Sequence, residues 1–151
     1  RSERLEEIAR EKARYAANKL KKPVIVDDTG FFFVTYNNFP GPFSKFVFRA
    51  LGYEGIFRLL KGVTRRAYAK TVVAYCEPRK EPKIFVGICR GRITTKTKGR
   101  ISKKLPYEAI FIPDGDTRTF AQMTKEEKAK YSHRSRALKK FARWFLKRHA
   151  T

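Results

Sequence analysis

The chain has 151 residues, of which 42% are apolar and 14% aromatic, and this composition excludes a disordered protein and favours one folded domain. Lys and Arg number 36 against 14 Asp and Glu, so the formal net charge is +22. Because such a charge repels itself unless a polyanion neutralises it, nucleic acid is the first class of partner predicted and an anionic membrane surface the second.

The first residues and the cysteines indicate the cellular compartment. Residues 1–22 mix Glu with Arg and Lys, unlike a secretory signal, and no apolar run is long enough to predict a membrane-spanning helix. Cys76 and Cys89 are therefore predicted to be reduced, buried thiols of a cytoplasmic protein. Two cysteines and two histidines without ligand spacing predict no zinc site. Whether a segment precedes Arg1 is left open.

The first part of the chain predicts one helix and one strand. Residues 2–22 place apolar side chains at three- and four-residue spacing, which predicts an amphipathic helix that Pro23 ends. Residues 24–26 form a short apolar run that leads into Asp-Asp-Thr-Gly at 27–30. This pattern is typical of a buried strand that carries carboxylates at its C-terminal end, and a second apolar run follows at 31–34.

The central part predicts a pair of helices and a hairpin. Residues 43–60 predict two helices, with a break near Gly52. Residues 66–76 alternate and are rich in Val, Tyr and Thr, which predicts a strand, and residues 83–95 form its hairpin partner. A short strand is predicted at 109–112.

The last helix and the fold class follow from the remaining pattern. Thr124 and Glu127 form a capping box, so one helix is predicted over 124–149. The order of elements predicts a single domain over residues 1–151 with an α/β fold, bordering on α+β, in which helices flank a mixed central sheet.

Several motifs occur along the chain in the order known from one enzyme family. They are Asp-Asp-Thr-Gly at 27–30, Phe-Pro-Gly-Pro-Phe-Ser-Lys at 39–45, Ala-Gln-Met at 121–123, and Lys128 followed by Ser-His-Arg at 132–134. Together they resemble the inosine/xanthosine triphosphate pyrophosphatases of the archaeal type, over about residues 5 to 145. That family clears damaged purine nucleotides by hydrolysing the triphosphate to a monophosphate and pyrophosphate with Mg²⁺.

The resemblance implies roles for five positions. Asp28 matches the family's metal-binding and catalytic aspartate. Lys45 and Lys128 match its phosphate-binding lysines. His133 and Arg134 match the pair that recognises the base.

Other positions depart from the family pattern. Nothing in residues 1–22 matches the family's phosphate loop or the acidic metal ligand after it, so the N-terminal phosphate-loop strand is predicted to be missing. The family's base-stacking Phe-Gly-Tyr-Asp segment aligns with residues 105–109, where Leu, Pro and Glu replace Phe, Gly and Asp. Further replacements affect two family glutamates and a glycine, at Val34, Gln122 and Ser135. Because residues that act as a unit fail together, the sequence predicts a degenerate, inactive paralogue, a pseudoenzyme without a cofactor or metal.

The positive charge is concentrated in two segments that contain no acid, within residues 90–104 and 128–151. A solvated helix and a flexible loop are the plain alternative, but a solvated face normally mixes both signs of charge. The segments therefore predict contacts to RNA phosphates. The residues predicted to make them are Arg90, Arg92, Lys96, Lys98, Arg100, Lys103, Lys104, Arg136, Lys139, Lys140, Arg143, Lys147 and Arg148.

The leading hypothesis is a structural RNA-binding protein, a ribosomal component that contacts rRNA and neighbouring ribosomal proteins, with no membrane partner and no required homo-oligomer. The alternative is a Mg²⁺-dependent pyrophosphatase acting on inosine or xanthosine triphosphate, which the five surviving positions support. A chromatin protein is a third possibility, although no groove-binding motif supports it.

Overall fold

A computed structural model describes residues 4–150 of the chain. At its centre is a five-stranded sheet with the strand order β2-β1-β3-β4-β5, in which every described pairing is antiparallel. The strands are β1 (Val24–Phe33), β2 (Pro40–Gly41), β3 (Arg66–Cys76), β4 (Lys83–Ile93) and β5 (Phe111–Pro113). The predicted α/β fold class, a central sheet flanked by helices, is confirmed, but the sheet is antiparallel at every described pairing and not mixed, because neighbouring strands run in opposite directions.

Within the described part of the chain, four α-helices accompany the sheet: α1 (Leu5–Leu20), α2 (Ser44–Leu59), α3 (Lys125–Ala129) and α4 (His133–Arg148). Short 3-10 helices lie at 106–109 and 120–122. Helix α1 agrees with the prediction over 2–22, of which residues 2 and 3 lie outside the described residues. Within residues 4–150, no helix is long and apolar enough to cross a membrane.

Two breaks divide the later helices. Helix α2 changes direction at Gly52, whose φ of 67° is accessible to glycine, and this agrees with the predicted break. The single helix predicted over 124–149 is wrong, because α3 and α4 are separate. Ser132 begins the second of them: its hydroxyl accepts a hydrogen bond from the backbone N–H of Ser135 at 3.2 Å.

Helix α1 covers one face of the sheet. It buries an alanine stripe, Ala9, Ala13 and Ala17, each fully inaccessible. Small side chains let the helix backbone approach β1 and β3 closely, where the stripe packs on Phe32 and Val72. The residues that form the apolar periodicity in the sequence are therefore those that hold α1 over the middle of the sheet.

Helices α2 and α4 cover the opposite face. Phe31 and Phe33 of β1 enter a core with Phe111 and Phe120 there, while α4 packs across β4. At Gly87 of β4, an added Cβ atom would lie 2.1 Å from the carbonyl oxygen of His133. Glycine at this position is what allows the first turn of α4 to lie directly on the sheet.

The sheet has two partly open edges. Strand β2 pairs only with Phe31 and Phe32, so the outer side of β1 over 24–30 has no strand partner among the described residues. Strand β5 pairs only with residues 91–93, so the outer side of β4 over 83–90 is likewise without a strand partner in the described chain.

Candidate active site

Two adjacent aspartates of β1 point to opposite faces of the sheet, because side chains alternate along a strand. Asp28 faces α1, where its Oδ1 atom accepts a hydrogen bond from Lys12 Nζ at 2.9 Å. Asp27 faces α4, where its Oδ2 atom accepts one from Arg134 Nε at 2.8 Å. The two carboxylates therefore lie on either side of the open edge of β1.

The second oxygen of Asp28 is a candidate ligand position. Asp28 Oδ2 is buried and has no hydrogen-bond partner within residues 4–150. Burying a carboxylate oxygen without a partner is costly, so the site favours an incoming cation or donor.

Mg²⁺ fits this carboxylate. It is usually held by one or two carboxylates and completed by waters and substrate phosphates. The described residues contain no cluster of three or more Asp, Glu, His or Cys able to hold a metal. Asp28 therefore suits a metal that arrives with its substrate better than one enclosed by protein ligands.

Lys12 contacts Asp28, although no motif in the sequence includes this lysine. Its ammonium group bonds Asp28 and lies 3.4 Å from the carbonyl oxygen of Asp27. On a helix that mixes Glu, Arg and Lys, one lysine has no distinguishing feature except its position beside the buried stripe of Ala9 and Ala13. The contact spans 16 residues along the chain, which periodicity does not reveal.

Lys45 lies exposed in the first turn of α2, as a phosphate-binding lysine requires. Its neighbour Ser44 fixes this turn in place. The Ser44 hydroxyl accepts a hydrogen bond from Phe31 N–H at 2.9 Å and donates one to the Gly41 carbonyl at 2.7 Å. Lys45 is thereby tied through its backbone to β1, the strand that carries Asp28.

Lys128 is already paired within the protein. Its Nζ atom lies 2.7 Å from Glu108 Oε2, and both side chains are partly buried. Glu108 stands where the family has aspartate, and the longer side chain still presents a carboxylate to this lysine. The pair lies at the segment that resembles the base-binding part of the family, so Lys128 is better suited to that segment than to a free phosphate.

His133 is buried at the start of α4. Its ring lies 5.7 Å from that of Phe31 and 6.0 Å from that of Phe120, and its Nδ1 atom has no partner in the described structure. Burial, followed by the nearby cations Lys128, Arg136 and Arg134, lowers the pKa of His133 to about 4. The imidazole is therefore neutral near pH 7 and presents one donor and one acceptor nitrogen.

Three of the departures from the family pattern have local structural roles. Pro106 occupies the first position of a 3-10 helix, where no backbone N–H is needed. Gln122 Oε1 accepts a hydrogen bond from Thr119 N–H at 2.9 Å, as a carboxylate oxygen would. Ser135 donates its backbone N–H to the Ser132 cap. These replacements are compatible with an intact site, which explains why they were a poor argument for its decay.

Some cations predicted to bind RNA make contacts within the protein instead. Arg136 Nη1 donates to the Ile88 carbonyl at 2.5 Å, and Lys140 Nζ donates to the Val86 carbonyl at 2.7 Å. Both carbonyls belong to the open edge of β4. Arg148 pairs with Glu77 at 3.3 Å.

The other cations of that prediction are differently placed. The hydrogen bond from Arg66, followed by the charges of Arg92 and Arg90 on β4, lowers the pKa of Asp114. The backbone N–H of Lys98 donates to the Ala109 carbonyl at 2.8 Å. The remaining side chains are exposed: Lys96, Arg100, Lys103, Lys104, Lys139, Arg143 and Lys147.

Comparisons with known proteins agree with this fold. A family model described as the Ham1 family matches residues 1–144. A dITP/XTP pyrophosphatase of Methanopyrus kandleri is 48% identical over 145 residues, covering 95% of this chain and 76% of that protein. A dITP/XTP pyrophosphatase of Methanosarcina mazei is 45% identical over 143 residues, covering 94% of this chain and 76% of that protein.

Solved structures give the same result. The Ham1 protein of Staphylococcus aureus matches with a TM-score of 0.82 and 30% identity, covering 94% of this chain and 76% of that one. A nucleoside-triphosphatase / dITP/XTP pyrophosphatase of Mycobacterium abscessus matches with a TM-score of 0.73 and 29% identity, covering 91% and 73%. The chain belongs to the Ham1 family, and the resemblance drawn from the motifs is confirmed.

The hypothesis of an inactive, structural rRNA-binding protein is wrong. Eight relatives that are 39–48% identical to the chain over 93–95% of its length are all named as an enzyme, dITP/XTP pyrophosphatase. The rRNA and ribosomal-protein partners, the pseudoenzyme assignment and the chromatin alternative lose their basis with it. The excess of basic residues was the misleading signal, because charge alone does not show which contacts each cation makes.

Proposed function

We propose that this protein is a Mg²⁺-dependent pyrophosphatase that hydrolyses non-canonical purine nucleoside triphosphates, of the deoxyinosine, inosine or xanthosine type, to the monophosphate and pyrophosphate. The observation that carries the proposal is the buried, unpartnered Oδ2 atom of Asp28 beside Lys12, in a chain 48% identical to a dITP/XTP pyrophosphatase. In the reaction, water attacks the α-phosphorus, and the bond between the α-phosphorus and the bridging oxygen breaks.

The phosphate end of the site is built from Asp28, Lys12 and Lys45. Asp28 and the substrate phosphates would hold the Mg²⁺ ion, which when bound offsets phosphate charge and withdraws electron density from the reacting phosphorus. Lys12 lies against Asp28 and presents a cation to an approaching triphosphate. Lys45 is exposed at the N-terminus of α2, where the helix dipole adds to its attraction for phosphate.

The base end is built from residues 105–109 and the start of α4. Neutral His133 has an Nδ1 atom without a hydrogen-bond partner among residues 4–150, and Arg134 lies in the next position, held against Asp27. The Glu108–Lys128 pair offers both an acceptor and a donor. We assign these groups to recognition of the purine edge, where hydrogen-bonding groups left unpaired by the wrong base would reject it. A cytoplasmic location fits two buried, unbridged cysteines.

The test is release of pyrophosphate from inosine, xanthosine and deoxyinosine triphosphates, with ATP and GTP for comparison, in the presence of Mg²⁺ or a chelator. We expect turnover of the first three substrates only, and loss of turnover with the chelator. Asp28→Asn should lower kcat on the order of a hundredfold or more, since it removes a charged oxygen ligand. Glu81→Gln, an exposed carboxylate on the β3–β4 turn, is the matched control. Equal rates on all five nucleotides, or an active Asp28→Asn protein, would contradict the proposal.

A further inference from the structure

Three segments of the candidate site meet at one buried group of side chains, Phe31, Ser44 and Tyr107, which we call the node. All three are less than 10% exposed. The Tyr107 hydroxyl donates to the Ser44 carbonyl at 2.6 Å, and the Ser44 hydroxyl accepts from Phe31 N–H at 2.9 Å. The rings of Phe31 and Tyr107 stack at 4.8 Å with an interplanar angle of 8°.

Each node residue is close in the chain to a candidate functional side chain. Asp28 lies three residues before Phe31 in the same strand. Lys45 directly follows Ser44, and Glu108 directly follows Tyr107. The node therefore joins the segments that carry the metal-binding carboxylate, the phosphate-binding lysine and the base-end carboxylate, while its own side chains are too deeply buried to contact a nucleotide.

A second tyrosine holds the base-end segment from the other side of the bend in α2. The Tyr53 hydroxyl donates to the Pro106 carbonyl at 2.7 Å. Tyr53 follows Gly52, where α2 changes direction, whereas Ser44 begins the helix before the bend. The two halves of α2 thus hold neighbouring residues of the base-end segment, one through Tyr107 and one through Tyr53.

On the basis of the proposed function, we infer that Tyr107 is a positioning residue that couples recognition of the purine base to the placement of Lys45 on the phosphates. The bond from Tyr107 to Ser44 directly links the base-end segment to the first turn of α2. A base that orders residues 105–109 thereby fixes the turn that carries Lys45. Tyr107 acts through Ser44 and does not touch the substrate.

Tyr107→Phe tests the inference, because it removes one hydroxyl and keeps the ring that stacks on Phe31. Tyr75→Phe is the matched control: it is also a buried tyrosine with one hydrogen bond, to Glu77 at 3.1 Å, near the β3–β4 turn. Turnover is measured with inosine triphosphate and with ribose 5-triphosphate, which lacks a base. We expect Tyr107→Phe to lower kcat/KM about tenfold for inosine triphosphate and to leave that for ribose 5-triphosphate unchanged.

A merely structural role would lower both rates together, or lower only the melting temperature, and either result would overturn the inference. If Tyr107→Phe is too unstable to assay, Tyr53→Phe tests the second contact of the same segment, with the same split expected between the two substrates.

Calorimetry separates this inference from the proposed function, because it needs no turnover. Pyrophosphate is titrated into the wild-type protein and the Tyr107→Phe variant, with and without saturating inosine. Coupling predicts that inosine strengthens pyrophosphate binding about tenfold in the wild type and not in the variant, since linkage between two sites is reciprocal. The same coupling in both proteins would overturn the inference even if the enzyme is active. Coupling without turnover would overturn only the proposed reaction.

Discussion

The two open edges of the sheet differ in how their backbone groups are used. At β4, the carbonyls of Val86 and Ile88 accept hydrogen bonds from Lys140 and Arg136, and that of Arg90 accepts one from Asp114 N–H at 2.9 Å. Along β1 over 24–30, Lys12 Nζ lies 3.4 Å from the outward carbonyl oxygen of Asp27. An exposed strand edge invites pairing with another chain unless it is covered or charged.

This difference shows that cations of one helix serve different purposes. Arg134, in the first turn of α4, reaches the carboxylate of Asp27 on β1, and Arg136 reaches a carbonyl of β4. The first contact belongs to the candidate site and the second closes the far edge. The acid-free composition of α4 is therefore partly explained without any nucleic acid. The following experiments act on the two edges and on the helix between them.

The largest expected effect is on the free energy of unfolding and concerns His133. This residue begins α4, beside Arg134 and Arg136, which contact the two open edges of the sheet. Its folded pKa of about 4 lies below the ordinary value of 6.5, so the unfolded chain binds a proton that the folded chain excludes. Stability should therefore fall as the pH drops from about 6.5 to about 4, by roughly 3 kcal/mol in the free energy of unfolding. Urea titrations at several pH values measure this loss, which His133→Gln should lack.

His149→Gln is the control, because His149 is the second of two histidines in the sequence and lies exposed at the end of α4. The free energy of unfolding of this variant should change with pH as that of the wild type does. An identical pH dependence for the wild type and His133→Gln would show that the ring is not excluded from protonation.

The next effect concerns the β1 edge. Lys12→Met removes the ammonium group beside Asp28 and keeps an unbranched side chain of similar length. We expect kcat/KM for inosine triphosphate to fall about tenfold, equivalent to about 1.4 kcal/mol of transition-state stabilisation. The melting temperature should change little, because half-exposed ion pairs contribute little to stability. Lys19→Met, on the same helix and beside Tyr15, should leave the rate unchanged, and equal losses in both variants would contradict a specific role for Lys12.

The smallest effect per lost interaction concerns the β4 edge. The double variant Arg136→Ala with Lys140→Ala removes the hydrogen-bond donors to the Ile88 and Val86 carbonyls. It should lower the free energy of unfolding by about 1 kcal/mol for each lost hydrogen bond. It should also associate at high concentration, which light scattering after size-exclusion chromatography detects. The control, Lys139→Ala with Arg143→Ala, removes the same charge from exposed positions. If both double variants behave alike, net charge rather than edge capping keeps the chains apart.

Local sequence patterns were sufficient to predict most helices and strands and to identify the family motifs. The spacing of apolar residues in α1, the alternation in β3 and the break at Gly52 all express interactions within a few residues, and each agrees with the structure. The break before Ser132 was missed because the capping box at Thr124 and the periodicity after it are both helical signals. Only the serine cap separates them.

The site and the function depended on contacts between distant parts of the chain. By itself, the sequence determined the family motifs, the central sheet flanked by helices and the net charge of +22. Only the tertiary structure decided that Lys12 meets Asp28, that Arg134 meets Asp27 across 107 residues, and that Arg136 and Lys140 close an edge of the sheet. The physical reason is that the effect of a charge depends on the groups within a few ångströms of it, and the tertiary fold determines which groups these are.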